Sequence, residues 1–213
     1  MKYKILFKHL YYSGVICIKN KLKYGYLAPV YYERLWVSPN DIQLRLPRAK
    51  RFKIFGKSRV ISGSIIPGEW YKDAEKFSYH HVLEKRFIEN YPWSELGVYT
   101  RMMDRINEIG SSDGCQNIEE VKERYKKIDE LYYQIKREKR FRTREELSGK
   151  KRNFAKGRGE LRVFVGKYGK LIHGSGGNHR LAIAKILELK KIPVTIGGVH
   201  PDGIKYLNKH RSK

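Results

Sequence analysis

Short runs of β-branched and other apolar residues in the last third of the chain predict strands. Leu161–Val165 and Lys170–His173 are two such runs, and the Gly-Lys-Tyr-Gly sequence between them favours a hairpin turn. Ile192–Ile196 is a third run, closed by two glycines. Between the second and third runs, Leu181–Leu189 has apolar positions at helical spacing, which predicts a helix. The predicted order is hairpin, glycine-rich loop, helix and strand.

The middle of the chain has the spacing of three and four residues that is typical of amphipathic helices. Side chains that cap a helix stand at two of the predicted starts, where an Asn or Thr precedes a Glu by three residues. Helices are predicted over Tyr79–Tyr91, over Ser94–Ile109, over about five turns after Asn117 with Glu120, and over a short segment after Thr143 with Glu146.

Together these elements predict an α+β fold, with a small mixed β-sheet and a helical insertion. The sheet is expected from residues 35–66, including a strand at Val60–Ile66, and from residues 160–200. The chain is divided into a basic N-terminal extension (1–34), the first part of the core (35–77), the helical insertion (78–148) and the second part of the core (149–213).

The glycine-rich segment after the hairpin is the strongest candidate for binding chemistry. Glycine lets the backbone approach a ligand closely, and the unpaired N–H groups at a helix start attract a phosphate. Arg180 is the strongest side-chain candidate, because its planar guanidinium suits bidentate phosphate contact. The predicted phosphate-binding residues are Gly174, Ser175, Gly176, Gly177, Asn178, His179 and Arg180. A tight turn without a ligand is the alternative, because neither standard nucleotide-binding glycine pattern is present.

The run G-K-L-I-H-G-S-G-G-N-H-R-L-A-I-A-K-I-L-E-L-K-K-I-P-V resembles the core of the ParB/sulfiredoxin superfamily. In that group a strand leads to a G-x-x-R-type loop, a helix rich in small residues and an "IPV" strand. The match covers residues 160–200, and Leu35–Ile42 is more weakly similar to the family's opening strand and P-x-x-I turn. The resemblance implies that Gly177–Arg180 bind a nucleoside triphosphate, ATP or CTP, with Mg²⁺ as an accompanying ion.

Members of that superfamily include CTP-dependent partition clamps, sulfiredoxins, free-serine kinases and ParB-like nucleases. Asn178 stands where sulfiredoxins carry their attacking cysteine, which argues against sulfiredoxin activity here. NTPase or phosphotransferase activity stays open. An enzyme of either kind would usually need a carboxylate base for phosphoryl transfer. Glu69, Asp73 and His179 are the catalytic candidates, although no motif places them and each is also explained as an ordinary surface residue.

The net charge of +24 is distributed unevenly along the chain. Residues 1–60 carry +12, residues 61–120 carry −5 and residues 121–213 carry +17. Such an excess favours an anionic partner, and basic residues that neutralise phosphates give salt-dependent binding. A solvated helix face followed by a linker is the alternative. The predicted nucleic-acid-binding residues are Arg48, Lys50, Arg51, Lys53, Arg140, Arg142, Lys150, Lys151 and Arg152.

These features predict a ParB-like nucleotide-binding protein that associates with DNA. The alternatives are a small-molecule kinase that uses ATP or ADP, like the free-serine kinases, and, with less support, a ParB-like nuclease. No metal site is predicted, because no cluster of carboxylates or histidines has ligand spacing. The oligomeric state is left open.

Cys17 and Cys115 show no metal-type spacing, and a single disulfide between them is left open. Nothing resembles the disulfide framework of a secreted domain, so a reducing, cytoplasmic setting is expected. No segment approaches 18 consecutive apolar residues, which argues against a membrane-spanning helix. Lysines alternate with aromatic residues over Met1–Tyr32, and this leaves a peripheral membrane role open.

Overall fold

A computed structural model describes residues 2–55, 60–78, 81–149 and 160–211, with only the backbone described for residues 2–9 and Ser175. The chain forms two compact units. The first unit contains residues 1–77, 141–178 and 189–213, and the second contains residues 78–140 and 179–188. The boundary between Asn178 and His179 therefore falls inside the predicted phosphate loop.

The first unit is built around a mixed seven-stranded sheet. Its strand order is β1-β7-β5-β6-β2-β4, and β3 pairs with β7 beyond the end of β1. The strands are β1 (Arg34–Val37), β2 (Leu44–Arg45), β3 (Ser64–Ile65), β4 (Glu75–Lys76), β5 (Leu161–Val165), β6 (Leu171–Ser175) and β7 (Ile192–Val199). All eight residues of β7 are buried, as expected for the run of apolar and glycine residues in a strand covered on both faces.

The helices of the first unit are α1 (Lys2–Tyr24), α2 (Arg48–Phe55) and α6 (Arg144–Ser148). α2 covers one face of the sheet, where Phe55 stacks on Phe164 with ring centroids 5.4 Å apart. Trp70 meets both rings edge to face, and Leu46 and Ile172 complete this buried cluster. The aromatic contacts fix α2 over the sheet.

The second unit contains α3 (His81–Phe87), α4 (Val98–Ile109), α5 (Ile118–Glu138) and most of α7 (Asn178–Ile186). α5 places five residues on its buried side, at the spacing that the sequence shows: Val121, Tyr125, Ile128, Tyr132 and Ile135. Asp129 joins the helices by accepting two hydrogen bonds from Arg86, at 3.0 and 2.8 Å, and one from Trp93 Nε1 at 3.0 Å.

The α+β class and the mixed sheet are confirmed. The capping side chains lie where the sequence predicts them, because Asn117 accepts from the Glu120 N–H and Thr143 forms a complete capping box with Glu146. The strand predicted over Val60–Ile66 is shorter, at Ser64–Ile65. Its preceding residues are held by side-chain bonds instead, since Ser62 donates to the Ile196 carbonyl.

Residues 1–34, expected as an extension, contain α1 and a segment with buried residues, such as Ala28 and Tyr31. Cys17 and Cys115 are both free thiols. Among the described residues, no helix is long and apolar enough to cross a membrane.

Candidate functional site

Two helix starts lie at the same edge of the sheet in the first unit. β2 and β6 are parallel, with Arg45 level with His173, and their carboxyl ends therefore share this edge. β2 leads through Pro47 into α2, and β6 leads through the glycine loop to Asn178, where α7 begins. Ligands of open sheets commonly bind outside the carboxyl ends of such strands.

The glycines of the loop serve different purposes. Gly176 and Gly177 have φ of +71° and +72°, which L-residues with side chains rarely adopt. Among the described residues, their N–H groups have no backbone acceptor. Gly174 has ordinary backbone angles, but a Cβ there would lie 2.7 Å from Cδ2 of Phe164. Gly174 is therefore required by core packing, whereas Gly176 and Gly177 are required by the turn.

His173 braces the loop from within the sheet. This residue is 4% exposed, and its Nε2 lies 2.9 Å from the Gly176 carbonyl oxygen. Because the carbonyl can only accept, Nε2 carries the proton. Phe77 packs edge-on against the imidazole, with centroids 5.4 Å apart. The hydrogen bond and the ring contact together link the turn at Gly176 to the buried part of the sheet.

Arginine side chains gather at this edge. Arg162 is the second residue of β5 and pairs with Ser175 at the end of β6. Arg51 lies one helical turn before Phe55 on α2, and Arg162 lies two residues before Phe164 on β5. Each arginine is therefore on the same side of its helix or strand as one ring of the stacked pair. Burial, followed by the neighbouring charges of Arg162 and Arg48, lowers the pKa of Arg51. Arg51 therefore lies within electrostatic range of Arg48 and Arg162, and these three residues are called here the arginine cluster.

Arg51 is half-buried, and its Nε is inaccessible and makes no hydrogen bond to the described residues. Arg162 is held more firmly, since one terminal nitrogen donates to the Val60 carbonyl at 3.1 Å and its guanidinium lies over the Tyr32 ring. A Cβ on Gly197 would lie 3.2 Å from the Arg162 side chain. The fold thus leaves space for Arg162 and holds it near a second cation.

The structure does not bring Glu69 to the glycine loop. Glu69 lies beside Lys72, at 2.6 Å, and within electrostatic range of Lys167 in the turn between β5 and β6, at the opposite end of those strands. The hydrogen bond from Lys72 and its charge lower the pKa of Glu69, which opposes a role as a general base. Asp73 ends the short 3-10 helix Trp70–Asp73, which follows Glu69, and is exposed.

His179 belongs to the second unit, where it lines a cavity of about 160 Å³. Burial, followed by the charge of Arg124, lowers its pKa to about 4, while Asp113 acts in the opposite direction. His179 is therefore neutral at physiological pH. The other residues that line the cavity are Ser78, His81, Val82, Leu83, Trp93, Val98, Arg101 and Tyr125.

The low pKa of His179 predicts a loss of stability in acid. Between about pH 6.5 and 4, an unfolded chain binds a proton that the folded protein excludes, so the free energy of unfolding falls by up to about 3 kcal/mol. His179→Gln should flatten this part of the profile, and chemical denaturation at several pH values measures it. Burial also lowers the pKa of His210, and this residue accounts for a remaining slope of the same sign. An unchanged profile in His179→Gln would contradict the assignment.

The predicted nucleic-acid-binding residues that the structure describes do not all belong to one unit, since Arg140 is in the second unit and the others are in the first. Arg48 and Lys53 are exposed on α2, whereas Lys50 is half-buried and pairs with Glu75 at 3.0 Å. Arg140 and Arg142 are exposed on either side of the boundary between the units. Lys150, Lys151 and Arg152 lie outside the described residues. Within the described chain, no group of three His, Cys, Asp and Glu side chains could hold a metal ion.

Comparisons with known proteins add no relative: no protein-family model, no curated protein and no solved structure matches this chain.

The site also includes a residue that the sequence did not single out. Arg162 stands in an apolar strand, and only the pairing of that strand with β6 and the position of α2 reveal it. An arginine inside an otherwise apolar strand was the one available signal.

Proposed function

We propose that this protein binds a nucleoside triphosphate, with its phosphates at the sheet edge formed by the glycine loop and the arginine cluster. The observation that carries the proposal is the half-buried Arg51, whose buried Nε makes no hydrogen bond to the described residues and which lies within electrostatic range of Arg162. Like charges brought together away from water are costly unless an anion neutralises them. Guanidinium groups also match the geometry of phosphate oxygens.

The glycine loop supports the same assignment. Its two left-handed glycines and the start of α7 at Asn178 present backbone N–H groups, which favour an anion. The order of strand, glycine loop, helix and "IPV" strand agrees with the resemblance to the ParB/sulfiredoxin superfamily. We therefore propose membership of that superfamily and a nucleotide, ATP or CTP, with Mg²⁺ as the accompanying ion.

A thermal-unfolding screen tests the proposal. ATP, CTP, ADP and inorganic phosphate, each with and without Mg²⁺, should raise the Tm of the full chain, because a ligand that binds only the folded state stabilises it. A triphosphate is expected to act at a lower concentration than inorganic phosphate. Absence of any shift at millimolar concentrations would reject the proposal. Arg180→Ala, measured by titration calorimetry, tests whether the first turn of α7 also contributes to affinity.

We further propose that the exposed basic side chains of α2 contact a nucleic-acid backbone. Arg48 and Lys53 are exposed there, and the chain as a whole is strongly basic. Affinity for duplex DNA should fall steeply as the salt concentration rises, and the logarithm of the binding constant should fall linearly with the logarithm of the salt concentration. Lys53→Gln should reduce the slope by about one, as expected for the loss of one phosphate contact. Fluorescence anisotropy across a salt series measures both, and a flat plot would exclude a backbone contact.

A further inference from the structure

Among the described side chains of α1, the side that carries Asn20 packs on the rest of the unit. Asn20, 6% exposed, donates from Nδ2 to the Pro29 carbonyl at 2.7 Å and to the Gly63 carbonyl at 2.8 Å. Tyr12, about 80° round the helix from Asn20, lies against Tyr31 with ring centroids 6.1 Å apart. These contacts fix the rotation of the helix about its own axis. They therefore determine which residues face away from the sheet.

The residues that face away are apolar. The exposed fractions of Tyr11, Val15, Ile18 and Leu22 are 57%, 43%, 61% and 83%. At 3.6 residues per turn these four positions fall within a sector of about 60°, centred about 170° from Asn20. They form a continuous stripe, called here the α1 stripe. A helix with apolar residues on two opposite sides has a second surface to cover besides its packed side.

Cations flank the α1 stripe. Lys19 and Lys21 are exposed and lie on opposite sides of it, about 70° and 90° from its centre. Lys23 follows one turn further along the side of Lys19, and the first acidic residue of the chain is Glu33. The partner that fits must therefore accept apolar side chains at its centre and present anions on both sides.

We propose that α1 docks on an anionic lipid surface, lying in the plane of the interface. The α1 stripe would enter the region between headgroups and acyl chains, and the lysines would meet lipid phosphates. Tyr11 in the stripe and Tyr26, 82% exposed just after the helix, have the amphipathic rings that favour this depth. The proposal is independent of the nucleotide site.

The charges favour lipid over the other partners. A second copy packed stripe to stripe would bring the flanking lysines of the two chains together, which opposes association. Nucleic acid would neutralise the lysines but would leave the apolar centre of the stripe uncovered. An anionic bilayer supplies both the negative surface and an apolar layer beneath it.

Vesicle co-sedimentation of the full chain tests the proposal. Vesicles of phosphatidylcholine mixed with phosphatidylglycerol should bind the protein, and vesicles of phosphatidylcholine alone should bind it at least tenfold more weakly. Ile18→Asp with Leu22→Asp should lower the partition coefficient at least tenfold. The matched control is Ile109→Asp with Leu147→Asp, in which the same residue types are 57% and 50% exposed elsewhere. This control should bind as the unchanged protein does.

The lysines have a matched control of their own. Replacing Lys19, Lys21 and Lys23 by Gln should lower the partition coefficient at least tenfold, whereas replacing the exposed Lys122, Lys126 and Lys190 should have a smaller effect. Failure to bind either vesicle, or equal losses in a stripe variant and its control, would overturn the proposal. Light scattering would also overturn it by showing a dimer that Ile18→Asp with Leu22→Asp converts to a monomer. Circular dichroism confirms that each variant is folded.

Discussion

Arg51→Met is expected to stabilise the ligand-free protein while abolishing its stabilisation by phosphates. Arg51 keeps a half-buried charge within electrostatic range of Arg48 and Arg162, and its buried Nε has no hydrogen bond to the described residues. Methionine retains the aliphatic length that packs and removes the charge. A gain of about 1 kcal/mol corresponds to a rise in Tm of roughly 2–4 °C for a chain of this length. The partial exposure of Arg51 keeps the expected gain small.

The same variant should lose nucleotide binding. Removal of one guanidinium from the arginine cluster should weaken triphosphate affinity at least about a hundredfold, so a triphosphate concentration about tenfold above the Kd of the unchanged protein no longer raises the Tm. Lys53→Met is the matched control, because it removes one charge from the same helix at an exposed position. The control should leave the Tm without ligand and the rise in Tm with triphosphate nearly unchanged. A drop in Tm for Arg51→Met without ligand, together with an intact response to ATP, would show that Arg51 is structural.

The sequence predicts those parts of the fold in which local chemistry decides the structure. Asn117 and Thr143 start helices as predicted, because a capping side chain satisfies N–H groups within its own turn. The hairpin of β5 and β6 has the same local origin. α1 is harder to foresee, because its apolar residues lie on two opposite sides and largely cancel the asymmetry that indicates a surface helix.

The site depends on contacts between distant parts of the chain, which residue spacing does not encode. Arg51 and Arg162 are 111 positions apart, and the packing of Phe55 on Phe164 and Trp70 aligns α2 with β5. Glu69 illustrates the opposite case. The sequence predicts the turn that carries Lys167, but no spacing indicates that Glu69 lies within electrostatic range of that turn and therefore far from the glycine loop.

Gly174→Ala should cause one of the larger losses of stability that a single methyl group can produce in this protein. The added Cβ would lie 2.7 Å from Cδ2 of Phe164, and Phe164 cannot withdraw because it is 2% exposed between Phe55 and Trp70. Overpacking of this kind costs about 1–3 kcal/mol. Gly176→Ala has open space and should lose only about 1–2 kcal/mol, from its positive φ.

A double-mutant cycle separates packing at Gly174 from a direct role in ligand binding. Phe164→Leu removes ring atoms that the new methyl group would meet, so it should recover part of the loss caused by Gly174→Ala. Denaturant unfolding of the two single variants and the double variant measures the coupling. Additive losses would show that the methyl group acts elsewhere. If the double variant regains stability and also binds triphosphate normally, Gly174 serves the core alone, and the ligand-facing part of the loop begins after it.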